Sequence, residues 1–174
     1  MPTSLYDLSV PSFLQTLGAV AGYLEKGHAH FTANGTDPNE VVESRLFADM
    51  LPFRFQVQAV AHHSVGAIEG VKTGQFGPPT NLEPLDYRGL QKFVADTREA
   101  LQRVQPAEVN ALEGRDVVFQ IRDLKVPFTA ENFLMSFSLP NLHFHATTAY
   151  DILRTKGVPI GNRDYLGQMR MKGA

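Results

Sequence analysis

The stretch Phe133–Tyr150, FLMSFSLPNLHFHATTAY, is apolar on nearly every side once wound as a helix, and it carries a proline, Pro140, in its middle. A helix without a polar face cannot lie on a surface; it has to be surrounded. The rest of the chain must therefore supply neighbours, and three segments have the spacing to do so. Phe13, Leu14, Leu17, Val20, Ala21, Leu24, His28 and Phe31 recur at helical intervals over Pro11–Thr32, with Ser9 as cap and Asn34-Gly35 as stop. Leu51-Pro52-Phe53 opens a second long helix striped by Phe53, Val57, Val60, Ala61, Val65, Ile68 and Val71. Tyr87–Val104 is the third, with Leu90, Phe93, Val94, Thr97, Leu101 and Val104 facing inward.

Between them the pattern predicts a short helix over 38–46 and a loop over Gly74–Asn81. The period then changes to strand: Val117–Ile121 and Lys125–Phe128 read as a hairpin. Thr129 with Asn132 caps a fourth helix running to about Lys156, which Pro140 should kink or split. Residues 162–174 read as a polar tail. The expected fold is all-α: a four-helix bundle with a small β-hairpin inserted before the last helix, residues 1–174 forming one domain. The long loop at 74–86 favours a crossover connection.

Composition removes several kinds of function. With 16 Lys plus Arg against 18 Asp plus Glu, there is no basic excess for nucleic acid. Cysteine is absent, which excludes disulfides, thiolate zinc sites and a Cys nucleophile. No stretch approaches the ~18 apolar residues of a membrane span, and the start has no basic leader, so a cytoplasmic protein without membrane partners is expected.

The chemically loaded residues are six histidines in three pairs: His28 and His30, His62 and His63, His143 and His145. His62 and His63 diverge by about 100° on a helix, and residues two apart, such as His143 and His145, cannot share a face, so one member of each pair at most should face a common point. Asn141 and His145 lie one turn apart on one face. A proline at 140 frees the carbonyl of Ser136. Ser136, Asn141 and His145 would then make a polar spot in an apolar pocket lined by Phe133, Phe137, Phe144 and Tyr150, with His62, His63 and His30 as contributors from other helices. The plain alternative is a central helix with internal hydrogen bonds and boundary histidines.

Ser4-Leu5-Tyr6-Asp7, Asp49–Phe53 with Gln56-Val57-Gln58, Leu139–Arg154 and Gly157–Gly161 with Asp164–Gly167 resemble a bacterial and fungal branch of the DinB-like proteins, over essentially the whole chain. The resemblance implies a DinB-like four-helix bundle, often dimeric. In the wider superfamily three histidines often hold a divalent metal, one from the second helix and two from the last. His62 and His145 match two of those positions, and Asn141 stands where the third histidine is expected. Branch relatives carry an acidic residue at the position of His62, and His or Asn at that of Ser136.

Three functions follow as expectations. The first is a cofactor-free isomerase or cyclase, such as a pericyclic or Diels–Alder-like enzyme acting on a hydrophobic metabolite, with His145, His62 and Asn141 as catalytic groups. The second is a transferase or hydrolase using zinc or another divalent metal held by His62, His145 and Asn141. The third is a non-catalytic ligand-binding or dimerisation module. The expected partners are a hydrophobic small molecule and a second copy of the chain.

Overall fold

The computed structural model describes residues 3–80 and 82–172. Asn81, at the end of the predicted loop, and the last two residues of the predicted tail lie outside them. Helix α1 runs over Leu5–Ala33. It starts earlier than Pro11, because Ser4 and Asp7 form a capping box. The N–H of Tyr6 also donates to Asn110 Oδ1 at 2.9 Å. Pro11 is thus inside the helix rather than at its start, and Ser9, read as a cap, is buried with its hydroxyl on the Leu5 carbonyl.

The predicted helix over 38–46 is a single 3₁₀ turn, Pro38–Val41. The second long helix is two: α2, Phe53–His62, and α3, Val65–Thr73. Within the predicted loop, Gln75–Phe76 is a short strand, β1. It pairs in parallel with β2, Asp116–Ile121, so the predicted hairpin of β2 and β3 (Leu124–Thr129) is part of a three-stranded sheet ordered β1-β2-β3. Helix α4, Tyr87–Gln102, is capped by Asp86, whose carboxylate accepts from the Gly89 N–H. A short α5, Pro106–Asn110, precedes β2.

The last rod begins with one turn, α6 (Ala130–Asn132), widens into a π-helical stretch over Phe133–Ser138, and continues as α7, Leu139–Thr155. Pro140 explains the widening. It has no N–H to give, and its ring would press on a carbonyl one turn back. The chain relieves both by moving to five-residue spacing, seen in the Leu139 N–H bonded to the Leu134 carbonyl. A final short helix, α8 (Asn162–Leu166), occupies the start of the predicted polar tail. It is tied to α1 by the Lys26–Asp164 ion pair and by Gln15 Nε2 donating to the Leu166 carbonyl at 2.9 Å.

Helix α1 packs on α4 and α7, and α2 packs on the same two. The bundle therefore closes in the ring α1-α4-α2-α7, with α1 and α2 across from each other. The connections that cross the bundle are 34–52 and 103–129, and the 74–86 loop joins neighbours. The core is continuous, with Phe13, Leu17, Phe53, Leu90, Phe133, Leu142 and Ile152 all fully buried. No described helix is long and apolar enough to cross a membrane.

Candidate functional site

Two local irregularities meet on opposite sides of one seam. On α2 the helix stops at His62. The hydroxyl of Ser64 turns back to the carbonyls of Val60 and Ala61 at 2.9 and 3.1 Å, a local alternative to the helical ladder, and the chain bends before restarting as α3. Facing it is the π stretch ahead of α7. Ser138 in that stretch is buried, and its hydroxyl donates to the carbonyl of His63 at 3.0 Å. The two elements are thus pinned to each other at their irregular points.

The bend brings both His62 and His63 to the seam. Their ring centroids are 5.3 Å apart, and His63 stacks on His145 of α7 at 5.6 Å with 16° between planes. The expectation that only one of the pair could face the site assumed an unbroken helix there. His143, two residues from His145, points away, is exposed, and lies beside the hydroxyl of Tyr165.

The hydrogen bonds assign the tautomers. Gln56 Nε2 donates to the Leu51 carbonyl at 2.9 Å, which turns its Oε1 to His145. His145 Nδ1 must donate to that oxygen, at 2.8 Å, leaving Nε2 with a free lone pair. The single proton of Ser138 Oγ goes to a carbonyl, so His63 Nδ1 donates to the hydroxyl over a long 3.4 Å and its Nε2 is also unprotonated. His62 Nε2 donates to the Gly77 carbonyl at 2.7 Å.

Aromatic rings fill the space behind the imidazoles. Phe76 of β1 lies 4.4 Å from His62, 5.5 Å from His63 and 5.0 Å from Phe133. Phe137 lies 5.9 Å from His63 and 4.7 Å from Phe119. Gly70 lets Phe76 in, since a Cβ there would sit 2.8 Å from the ring. Burial among these rings pushes His63 down to about 3, with the neighbouring His62 and His145 adding to it. Burial, then His62, takes His145 down to about 4. Burial also lowers His62, against the opposing effect of the Gly77 carbonyl. The trio is neutral at pH 7.

The structure thus gathers His62, His63, His145, Phe133, Phe137 and Phe144. Asn141 sits one turn before His145, but its amide donates to the Phe137 carbonyl, at 2.7 Å, within the widened turn. Three predicted residues lie elsewhere. Ser136 is exposed and bonds the carbonyl of Asn132 on its own helix. Tyr150 stands between Tyr23 and Tyr165, with its hydroxyl on the Ile160 carbonyl. His30 lines a separate cavity of about 310 Å³ at the other end of α1. Three cavities, of about 640, 310 and 160 Å³, have no part of their lining from His145. His145 is half-buried, with the rings of Phe55 and Phe144 against it at 5.8 and 5.2 Å, and Phe144 is 54% exposed.

The metal-ligand set implied by the resemblance does not fit this arrangement. His62 Nε2 carries a proton held by a carbonyl, and the Asn141 amide is engaged on its own helix. Among the described residues no three His, Asp or Glu side chains are grouped to hold an ion.

Sequence reasoning passed over Gln56. Its signal was present: it lies at i+3 of Phe53 and one before Val57, a polar residue on a buried stripe that must find a partner.

Comparison with known proteins agrees with this architecture. The family described as a domain of unknown function, DUF1993, matches residues 5–166. The crystal structure of a DinB family member from Shewanella denitrificans superposes with a TM-score of 0.83 at 28% identity, covering 98% of this chain and 96% of that one. No curated protein matches the chain.

Proposed function

The chain belongs to the DUF1993 family and has the DinB-like fold, and from that premise we propose that it is a metal-free enzyme that isomerises or cyclises a hydrophobic small molecule at His145. The observation that supports this most is the Leu51–Gln56–His145 chain of hydrogen bonds, which holds one tautomer and leaves Nε2 without a proton. A nitrogen oriented by a second group is the arrangement of a proton acceptor with its positioning residue. Its low proton affinity narrows the chemistry. It is a hydrogen-bond acceptor for an already acidic O–H or C–H, such as an enol, and too weak a base for an ordinary C–H. Cyclisation of the pericyclic kind needs orientation and one directed hydrogen bond, and no more.

Phe144 and Phe55, both against the His145 ring, offer an apolar platform beside it. A second copy of the chain packed on this face would give the platform a second wall, and the expected homodimer belongs to the proposal in that form. So does the expected cytoplasmic location.

The test uses apolar enols and polyenes as a panel, followed by chromatography with mass detection. Isomerisation and cyclisation leave the mass unchanged. Wild-type protein should form a product of unaltered mass, His145→Ala should not, and a chelator should change nothing. Loss of turnover on chelation would instead favour the metal-dependent transferase or hydrolase, and tight binding without product the non-catalytic module.

A further inference from the structure

A cavity of about 640 Å³ lies away from the histidine seam, between α1, α4 and the segment that follows α8. That segment is laid on α1 by its backbone. Gly167 has φ +61, and a Cβ there would meet Ala19 Cβ at 3.2 Å and the Gln15 carbonyl at 3.3 Å. Only glycine allows so close a crossing. The segment over 167–172 then roofs the groove.

The walls mix apolar, amide and guanidinium groups, with Gln15, Gln102 and Gln168 among the lining side chains. Leu14, Met169 and Met171 are apolar, and Gly18 leaves the floor clear. Arg98 reaches in from α4, its Nε 3.9 Å from where a Gly18 Cβ would stand, and Arg170 comes from the roofing segment. Among the described residues no acidic side chain lines the groove. Neither arginine forms an ion pair among the described residues. Glu99, next to Arg98 in sequence, is engaged by Arg103. The Arg170 side chain makes one bond among the described residues, a long one of 3.4 Å to the Ser12 hydroxyl.

Two guanidiniums from different elements, neither with a carboxylate partner and both lining a groove that also presents Leu14, Met169 and Met171, fit one class of ligand. We propose that this groove binds an amphiphilic monoanion, a carboxylate on a short apolar chain. The volume is within the usual range for small-molecule sites, roughly 300–1,000 Å³. The guanidinium is the side chain best matched to a carboxylate.

Calorimetric titration of the full chain with octanoate, octanol and acetate tests this. Octanoate should bind saturably, and both octanol and acetate should bind at least about tenfold more weakly, because one lacks the charge and the other the chain. Arg98→Gln combined with Arg170→Gln should weaken octanoate by about tenfold or more. Gly18→Leu should abolish binding by filling the floor. That change improves helix propensity on a half-exposed position, so an unaltered circular dichroism spectrum is expected. Equal binding of octanoate and octanol, full affinity in the double variant or in Gly18→Leu, or no binding of octanoate by the wild type would each overturn the proposal.

Discussion

The histidine seam and the roofed groove are opposites. The seam holds the reactive side chains, and rings occupy the volume behind them; its imidazoles are neutral, and Phe133 and Ser138 are fully buried. The groove holds volume and positive charge but no group that titrates near neutral pH, and its roof is exposed, Met171 at 63%. The contrast teaches that an aromatic-rich segment fills its own hollow. Phe76, Phe119, Phe128, Phe133 and Phe137 stack together at 4.7 to 6.5 Å. Room for a ligand arises instead where two elements meet across small or flexible side chains.

The contrast can be broken in several ways. The largest effect should come from Phe133→Ala, which removes a fully buried ring from the stack. A loss of about 3–5 kcal/mol in urea denaturation is expected; a loss below about 1 kcal/mol would mean that the seam is loosely packed after all.

Acid should come next. His63 and His145 resist protonation in the folded chain until about 3 and about 4, whereas the unfolded chain takes up both protons near the ordinary 6.5. Their contribution is therefore complete above pH 6.5 and falls away as pH drops toward 4 and then 3. Urea midpoints measured from pH 7 to pH 4 should decline, and His145→Gln should flatten the decline. A nitrogen-15 titration showing either ring protonating near 6.5 would contradict the buried trio.

Gly70→Ala should be milder. Its new Cβ drives into Phe76, at a cost of about 1–3 kcal/mol, and should move the resonances of His62 and His63 with it. On the other face, Gly167→Ala forces a strained backbone against α1 and should cost on the order of 1 kcal/mol. It should also speed proteolysis beyond Leu166, while the seam stays unchanged. Smallest of all, Met171→Ala should leave stability within about 0.5 kcal/mol. A large effect there would show that the roof is structural.

Much of the fold was legible in the chain. The starts of α2 and α4, the stripes of α1 and α4, the β2–β3 hairpin and the disturbance at Pro140 all follow from local rules of spacing, capping and proline geometry. Other features were settled by competition between such rules. Pro11 is a good first-turn residue, yet the Ser4–Asp7 box won the start of α1. The apolar stripe from Phe53 to Val71 runs straight through, yet Ser64 bonded backward and broke it. The two residues of β1 have no signal of their own, since they exist only through pairing with β2.

The site divides along the same line. Sequence alone established that Asn141 and His145 share a face and that imidazole is the chain's one side chain able to change charge near neutral pH; the full enclosure expected of the last helix does not hold, since Ser136, Pro140, His143, Phe144 and Thr147 form an exposed strip along it. These depend on residue type and helical period, which travel with the chain. Which imidazoles converge, which nitrogen carries the proton and whether rings or a void stand behind them depended on a bend in α2, a widened turn before α7 and the orientation of one glutamine. Those are relations between distant segments, and periodicity along one segment holds no information about the shape of another.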